Sequence, residues 1–186
     1  MPTLNDGPPG ASDDEFFRAR AGEAAAFAAL VRAHQRSVFS LALRMLSDWQ
    51  RAEDLAQEVF LQLHHHLSSL QSAAHVTFWL RRVTLNRAID RLRREPRFET
   101  VSLEYAVVPV EDVGAGDPLL QSRLRGLVAG LSPAPRAVVL LRYQEDLDPV
   151  EIARTLNMSV NTVKSHLKRS LASLRESMGE DAGTLT

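Results

Sequence analysis

The sequence DPVEIARTLNMSVNTVKSHLKRSLASLR, residues 148–175, decides the fold of the C-terminal part of this chain. Asp148 is followed by a proline at the first helical position and by Glu151 three residues later, a pattern that predicts a capping box at a helix start. Asn157 follows this short helix, and asparagine tolerates the left-handed backbone conformation of a tight turn. Ser159 can then cap another helix. The stretch therefore predicts a short helix, a turn and a second, longer helix.

The second helix of this motif is predicted to have one apolar and one cationic face. Its apolar residues recur every three to four positions and are expected to face a core: Val160, Val163, Leu167, Leu171 and Leu174. Its other face, here the recognition face, comprises Ser159, Asn161, Thr162, Lys164, Ser165, Lys168 and Arg169. Acidic residues are absent between Ser159 and Arg175. Because Asn, Lys and Arg can bond base edges and phosphates from a helix in the major groove, the motif indicates a DNA-binding helix-turn-helix. A solvated amphipathic helix is the alternative.

Composition narrows the class of protein. The chain of 186 residues is 45% hydrophobic, which fits one or two domains with compact cores. It shows neither a membrane-spanning stretch nor a secretory leader, so we expect a cytoplasmic protein. It has no cysteine, which excludes disulfides, thiolate metal sites and thiol nucleophiles. The formal net charge of -1 conceals alternating basic and acidic segments, and the local field matters more than the sum for nucleic-acid binding.

Helical periodicity divides the chain into two units and predicts an all-α fold. Residues 1–11, rich in proline and glycine, are expected to form a disordered tail. Residues 12–95 are expected to form a first helical domain and residues 118–178 a second one, followed by a tail at 179–186. Between the domains, residues 96–117 carry five acids against one arginine and contain two glycines, which predicts an acidic flexible linker.

Local signals support these boundaries. Ser12 and Glu15 form another possible capping box at the start of the first domain. Ser132 followed by Pro133 marks a helix start in the second. The run VVPV at 107–110 can be a strand, but an isolated strand has no partner, so extended coil is the alternative.

The predicted helix over residues 51–67 has a broad apolar side that must be buried. On its opposite side, four residues at spacings i, i+3, i+4 and i+7 form what we term the acidic stripe. They are Asp54, Gln57, Glu58 and Leu61. An exposed leucine framed by acids favours a basic protein partner, and a solvated face is the alternative.

The segment FWLRRVTLNRAIDRLRR, residues 78–94, contains six arginines against a single acid. Its buried side is expected to comprise Phe78, Leu85, Ile89 and Leu92. The candidate nucleic-acid residues, here the arginine face, are Trp79, Arg82, Asn86, Arg87, Asp90, Arg93 and Arg94. An indole among arginines can stack on an unpaired base while the cations hold the backbone. The alternative is that Trp79 lies in the core.

The three consecutive histidines His64, His65 and His66 must point to different sides of a helix, which disfavours chelation from one face. We expect a solvated helix end, where histidine complements the C-terminal dipole. No recognisable catalytic motif is present, so we predict neither an enzyme nor a bound cofactor or metal.

Taken in order, AEDLAQEVFLQL, FWLRRVTLNRAIDRLRR, the acidic linker and EIARTLNMSVNTVKSHLKRSLASLR resemble the extracytoplasmic-function (ECF, group IV) sigma factors of the sigma-70 family. The resemblance covers nearly the whole chain after the tail. It implies that residues 12–95 are sigma domain 2, that residues 118–178 are sigma domain 4, and that a flexible linker joins them.

This resemblance also implies a division of roles. The acidic stripe would grip the clamp helices of the large RNA polymerase subunit, and domain 4 would meet its flap. The arginine face would open and read the minus-ten element, with a loop over residues 68–77 holding a flipped base. The helix from Val160 would read the minus-35 element. Asn157 and His166 depart from the family pattern, which bears on promoter preference.

The resemblance further implies an anti-sigma factor that wedges between the domains, and a chain that is monomeric when free. A stand-alone helix-turn-helix regulator that is not a polymerase subunit is the alternative function. Such a regulator would need a ligand pocket or receiver signature in residues 12–94, and the sequence shows neither.

Overall fold

The computed structural model of the protein describes residues 12–94 and 117–180. Within these residues the chain forms eight α-helices and a short 3-10 turn, Leu67–Ser69, and contains no strand. The helices are α1 (Asp13–Arg20), α2 (Ala24–Leu46), α3 (Trp49–His66), α4 (Ala73–Arg94), α5 (Pro118–Gly130), α6 (Pro133–Tyr143), α7 (Pro149–Leu156) and α8 (Val160–Glu180). The predicted all-α fold is confirmed. The predicted N-terminal tail, nearly all of the linker with its 107–110 run, and residues 181–186 lie outside the described residues.

Several helix starts follow from side chains that cap the free backbone N–H groups. The hydroxyl of Ser12 accepts from the N–H of Glu15 at 3.2 Å, while the Glu15 carboxylate accepts from the N–H of Ser12 at 3.3 Å. Asp148 and Glu151 form the same reciprocal box, so both predicted capping boxes are confirmed. Asn157 has φ 53°, as predicted for the turn after α7.

The first unit consists of α1 to α4, whose apolar faces pack together around a common core. Its largest fully buried side chains are Phe16, Leu30, Met45, Leu55, Leu63, Leu80 and Leu85. The predicted buried side of α3 is confirmed for Leu55, Val59 and Leu63. On α4 the prediction was partly wrong, because Phe78 and Leu92 are only half-buried. The burial falls instead on a side of the helix that includes Val76, Leu80, Thr84 and Ala88.

The second unit, α5 to α8, packs against the first, and buried residues of both contribute to one continuous apolar core. Helix α4 contacts α2 and α3 of its own unit and α6 and α7 of the second unit. Arg81 of α4 pairs with Glu145 at 2.8 Å, and the two side chains are 22% and 17% exposed. The buried guanidinium of Arg136 in α6 donates to the backbone carbonyl of Met45 in α2. The two units are therefore joined by apolar and polar contacts.

Within residues 12–94 and 117–180, none of the helices combines the length and apolar character needed to cross a membrane.

His34 of α2 is a buried titratable group close to this junction. It lines a cavity of about 20 Å³ together with Ser37, Thr77, Arg81 and Thr84, among other residues. Burial lowers the pKa of His34, because an imidazolium ion loses hydration in the interior. Across the described part of the chain, its Nε2 atom has no hydrogen-bond partner. The structure therefore favours the neutral form of this histidine.

We predict a loss of stability at mildly acidic pH that depends on His34. The pKa in the folded state lies below the ordinary value of 6.5, so the unfolded chain binds the proton more readily. The stability contributed by neutral His34 is complete above about pH 6.5 and is lost as the pH falls from there toward the folded pKa. The loss in the free energy of unfolding is at most about 1.4 kcal/mol at pH 5.5. Urea unfolding at pH 7.5 and 5.5 measures it. His34→Gln should lose less stability over this interval than the wild type, and an equal loss in both would contradict the assignment.

Candidate nucleic-acid and partner interface

Three members of the acidic stripe lie on the outward side of α3, as predicted. Asp54, Gln57 and Leu61 are exposed, and the Leu61 side chain is 65% accessible to solvent. The carboxylate of Asp54 accepts a hydrogen bond from Gln50, one turn earlier, at 3.4 Å. The result is a solvent-facing surface that combines a carboxylate, an amide and an apolar side chain.

Glu58 is placed differently from the other three, and the prediction that it faces outward with them is wrong in part. Its side chain is 45% exposed, but its carboxylate is directed toward α4. It accepts from Arg87 at 3.0 Å and from Arg91 at 2.6 Å. The physical reason is that α4 lies beside α3 and presents two guanidinium groups to this carboxylate.

The arginine face of α4 divides into an exposed part and a part directed to α3. Arg82, Asp90, Arg93 and Arg94 are exposed, and Asn86 is half-buried. Arg87, which was predicted to belong to the same DNA surface, instead donates to Gln62 at 3.0 Å and to Glu58. Sequence periodicity could not predict this pairing, because the pairing depends on where α3 lies relative to α4.

Trp79 is neither fully buried nor free in solvent. It is half-buried against the apolar core. Its ring centroid lies 5.6 Å from that of His66, at an interplanar angle of 33°. Part of the indole therefore remains accessible beside the exposed arginines of α4. The core alternative is therefore confirmed in part, and the role of Trp79 at melted DNA stays a prediction.

The loop that was predicted over residues 68–77 is much shorter. Helix α4 begins at Ala73, so only residues 70–72 separate it from the 3-10 turn. The Asp13 carboxylate of α1 accepts from the N–H of Ala73 at 2.9 Å, and the Ser72 hydroxyl accepts from the N–H of His75 at 3.1 Å. These two caps allow the helix to start early. The contact from Asp13 spans sixty residues of sequence, so the residues next to Ala73 gave no indication of it.

The helix-turn-helix is formed by α7 and α8. The hydroxyl of Ser159 accepts from the N–H of Thr162 at 3.0 Å, which confirms the predicted cap. Val163 is fully buried and Leu174 nearly so, while the other three predicted core residues of α8 are half-buried. Ser170 is also buried, a position that apolar periodicity did not select.

The recognition face of α8 is directed to solvent, as predicted. Its exposed members are Asn161, Thr162, Lys164, Ser165, Lys168 and Arg169, together with Ser159 at the cap. Ser165, Lys168 and Arg169 line a shallow concave surface. Beside them, the pKa of His166 is lowered, first by burial and then by the charge of Arg169. The face therefore carries amide, hydroxyl and cationic donors suited to bases and phosphates.

In the described ranges, no three His, Asp or Glu side chains are grouped in a way that suits a metal ion. The histidines at 64–66 are exposed at the end of α3. The ring of His64 packs against that of Phe27 at 5.1 Å, and Nδ1 of His66 lies 3.1 Å from the carbonyl of Gln62.

The chain matches two family profiles in the order of its two units. Residues 30–98 match Sigma-70 region 2, and residues 121–174 match Sigma-70, region 4. The first match includes α3 and α4 with their acidic stripe and arginine face. The second includes the helix-turn-helix and ends at Leu174, the last apolar residue predicted to face the core from α8.

Full-length relatives agree with this pattern. The ECF RNA polymerase sigma factor SigK of Mycobacterium tuberculosis is 32% identical over 181 residues, which cover 91% of this chain and 96% of that protein. The ECF RNA polymerase sigma factor SigW of Bacillus subtilis is 29% identical over 170 residues, 84% of this chain and 91% of its own. The ECF RNA polymerase sigma factor SigE of Mycolicibacterium smegmatis is 35% identical over 155 residues, 79% of this chain and 59% of its own.

Two solved structures share the fold. CnrH, in complex with the cytosolic domain of CnrY, superposes with a TM-score of 0.68 at 22% identity, over 92% of this chain and 99% of CnrH. The sigma factor RpoE, in complex with the anti-sigma factor NepR from Bartonella quintana, superposes with a TM-score of 0.63 at 18% identity, over 82% of this chain and 96% of RpoE.

Proposed function

The chain belongs to the ECF RNA polymerase sigma factors of the sigma-70 family, and from this premise we propose which of its surfaces performs each step of initiation. As a sigma factor it binds core RNA polymerase and directs promoter-specific transcription, and it is not an enzyme. We place it in the cytoplasm, with the polymerase and promoter DNA, as a monomer when free. Residues 12–95 act as sigma domain 2, 96–117 as the linker and 118–178 as sigma domain 4.

Docking on the polymerase is assigned to the outward part of the acidic stripe. The observation that carries this proposal is Leu61, which is 65% exposed on a helix whose opposite side is core. Asp54 and Gln57 are exposed one to two turns before it on the same helix and supply acceptors for basic or amide groups of a partner. We propose that the partner surface is the clamp helices of the large subunit, and that domain 4 rests on the flap.

The docking proposal predicts that Asp54→Lys weakens binding to core polymerase while the helical content stays unchanged. Asp54 is exposed and bonds only within its own helix among the described contacts, so its reversal should not disturb packing. Loss of one partner in a close interfacial charge pair costs about 2 to 5 kcal/mol. Asp14→Lys, an exposed acid on α1, is the matched control. Equal polymerase affinity of the two variants, measured by fluorescence titration, would rule out this face.

Promoter opening is assigned to the exposed part of α4. Trp79 and Asn86 offer a ring and an amide to extruded bases, while Arg82, Arg93 and Arg94 supply cations for the displaced strand. Unstacking a base step costs a few kcal/mol, and capture of the extruded base offsets that cost. Asp90 lies on the same exposed side and can accept a hydrogen bond from a base amino group.

Recognition of the minus-35 element is assigned to α8. In a helix-turn-helix the N-terminal residues of the second helix reach deepest into the major groove. Asn161 and Lys164 are exposed in the first turns of α8 and are the proposed base readers. Arg169 and Arg175 lie further along and meet phosphates. Ser159 caps the helix by accepting from the N–H of Thr162, and the hydroxyls of these two exposed residues lie 2.8 Å apart.

These roles predict two kinds of variant. Asn161→Ala and Lys164→Ala should relax base preference at one or two minus-35 positions, at a cost of about 1 to 3 kcal/mol there. Arg169→Ala and Arg175→Ala should weaken binding to all sequences alike and lower the salt slope by about one each. Selection on randomised promoters with the assembled holoenzyme measures both. A shift in base preference in Arg169→Ala, with none in Asn161→Ala or Lys164→Ala, would reverse the assignment.

We also propose an anti-sigma factor as a protein partner. Of the two solved structures named above, CnrH is bound to the cytosolic domain of CnrY, and RpoE is bound to the anti-sigma factor NepR. In this chain, α5 carries three exposed leucines, Leu119, Leu120 and Leu124. Exposed apolar residues grouped on one short helix are typical of a surface that a partner covers.

A further inference from the structure

The carboxylate of Glu58 holds two arginines of the neighbouring helix at once. One oxygen accepts from Arg87 and the other from Arg91. Arg91 also donates to the backbone carbonyl of Arg51 at 3.2 Å, and Arg87 also donates to Gln62. Two α4 side chains are thereby tied to three positions on α3, Arg51, Glu58 and Gln62, which together span about three turns. Charge-assisted bonds of this kind fix geometry as well as charge.

This pairing sorts the six arginines of α4 by their surroundings. Arg81 faces the second unit and pairs with Glu145. Arg87 and Arg91 face α3 and pair with Glu58. The three exposed arginines are Arg82, Arg93 and Arg94. The exposed three lie on the same side of the helix as Trp79 and Asn86, the residues assigned to melted DNA.

We propose that Glu58 is a positioning residue for promoter opening. It draws Arg87 and Arg91 onto α3, so that the DNA surface of α4 is limited to its outward side and is fixed relative to the docking helix. The inference rests on the proposed assignment of α4 to DNA. It separates Glu58 from Asp54, although the two lie one turn apart on α3 and carry the same charge.

Loss of the Glu58 charge should change how the free protein binds single-stranded DNA. In Glu58→Gln the two arginines are no longer neutralised and become available to phosphates. Each added phosphate contact steepens the dependence of log K on log salt by about 0.7 on a single strand. Asp54→Asn removes the same charge from an exposed site and controls for net charge. Arg93→Gln removes an exposed cation and reports whether α4 binds the strand.

The first measurement uses the full chain and a single-stranded oligonucleotide of arbitrary sequence over a range of salt concentrations. We expect a shallower slope for Arg93→Gln, an unchanged slope for Asp54→Asn, and a slope steeper by about 0.7 to 1.4 for Glu58→Gln. Equal slopes for Glu58→Gln and Asp54→Asn, with a response in Arg93→Gln, would overturn the positioning role alone. An unchanged slope in Arg93→Gln would show that the assignment of α4 to DNA fails, and the inference with it.

The second measurement separates positioning from docking in the holoenzyme. Glu58→Gln should lower transcription from a duplex promoter at saturating protein, and a template with a pre-opened bubble should restore most of the loss. Asp54→Asn should instead be corrected by a higher protein concentration on either template. Arg91→Lys keeps the charge but cannot bridge Glu58 and the carbonyl of Arg51, so it should share the opening defect. Full correction of Glu58→Gln by protein concentration alone would make Glu58 a docking acid and contradict the inference.

Discussion

The packing of α4 against the other helices of its own unit and against the second unit is the constraint on which the rest of this structure depends. Helices α2 and α3 cover it on one side, and α6 and α7 cover it on another. Salt bridges hold α4 on both of these sides. Arg81 pairs with Glu145 of the second unit. Arg87 and Arg91 pair with Glu58 of α3. One side of α4 remains exposed, and it holds the arginines and ring that suit a single strand. The core thus sets the position and the extent of the proposed DNA surface.

The same packing opposes simultaneous binding of the minus-35 and minus-ten elements by a sigma factor. Elements centred at minus-35 and minus-ten lie about 25 base pairs apart, roughly 85 Å along B-form DNA. In this structure α4 contacts α7, and α7 contacts α8. The two helices proposed to read DNA are joined through one intervening helix and cannot span that distance, since even the 21 residues of α8 extend only about 31 Å. The proposed assignment of α4 and α8 to these two elements therefore requires the two units to separate when both are bound, and polymerase docking can supply the free energy for that separation.

Local chemistry explains why much of this fold was predictable. Capping boxes at Ser12 and Asp148, the left-handed Asn157 and the apolar seam of α8 each depend on residues within a turn or two. The features that were missed depend on distant neighbours. Asp13 caps α4 across the chain, and Arg87, predicted for the DNA surface, donates to Gln62 of α3. Periodicity identifies which side of a helix is polar, but the partner helix decides which polar groups stay exposed.

The most direct test of this account is transcription by core polymerase from a library of duplex promoter fragments, with and without the chain. We expect transcripts that require the chain and begin downstream of two elements at a fixed spacing. Lys164→Ala should alter the selected upstream element, and Asn86→Ala should lower the yield without altering it. Fragments that the chain binds without polymerase, yet from which no transcript is made, would contradict the central claim that this protein is a promoter-specificity subunit.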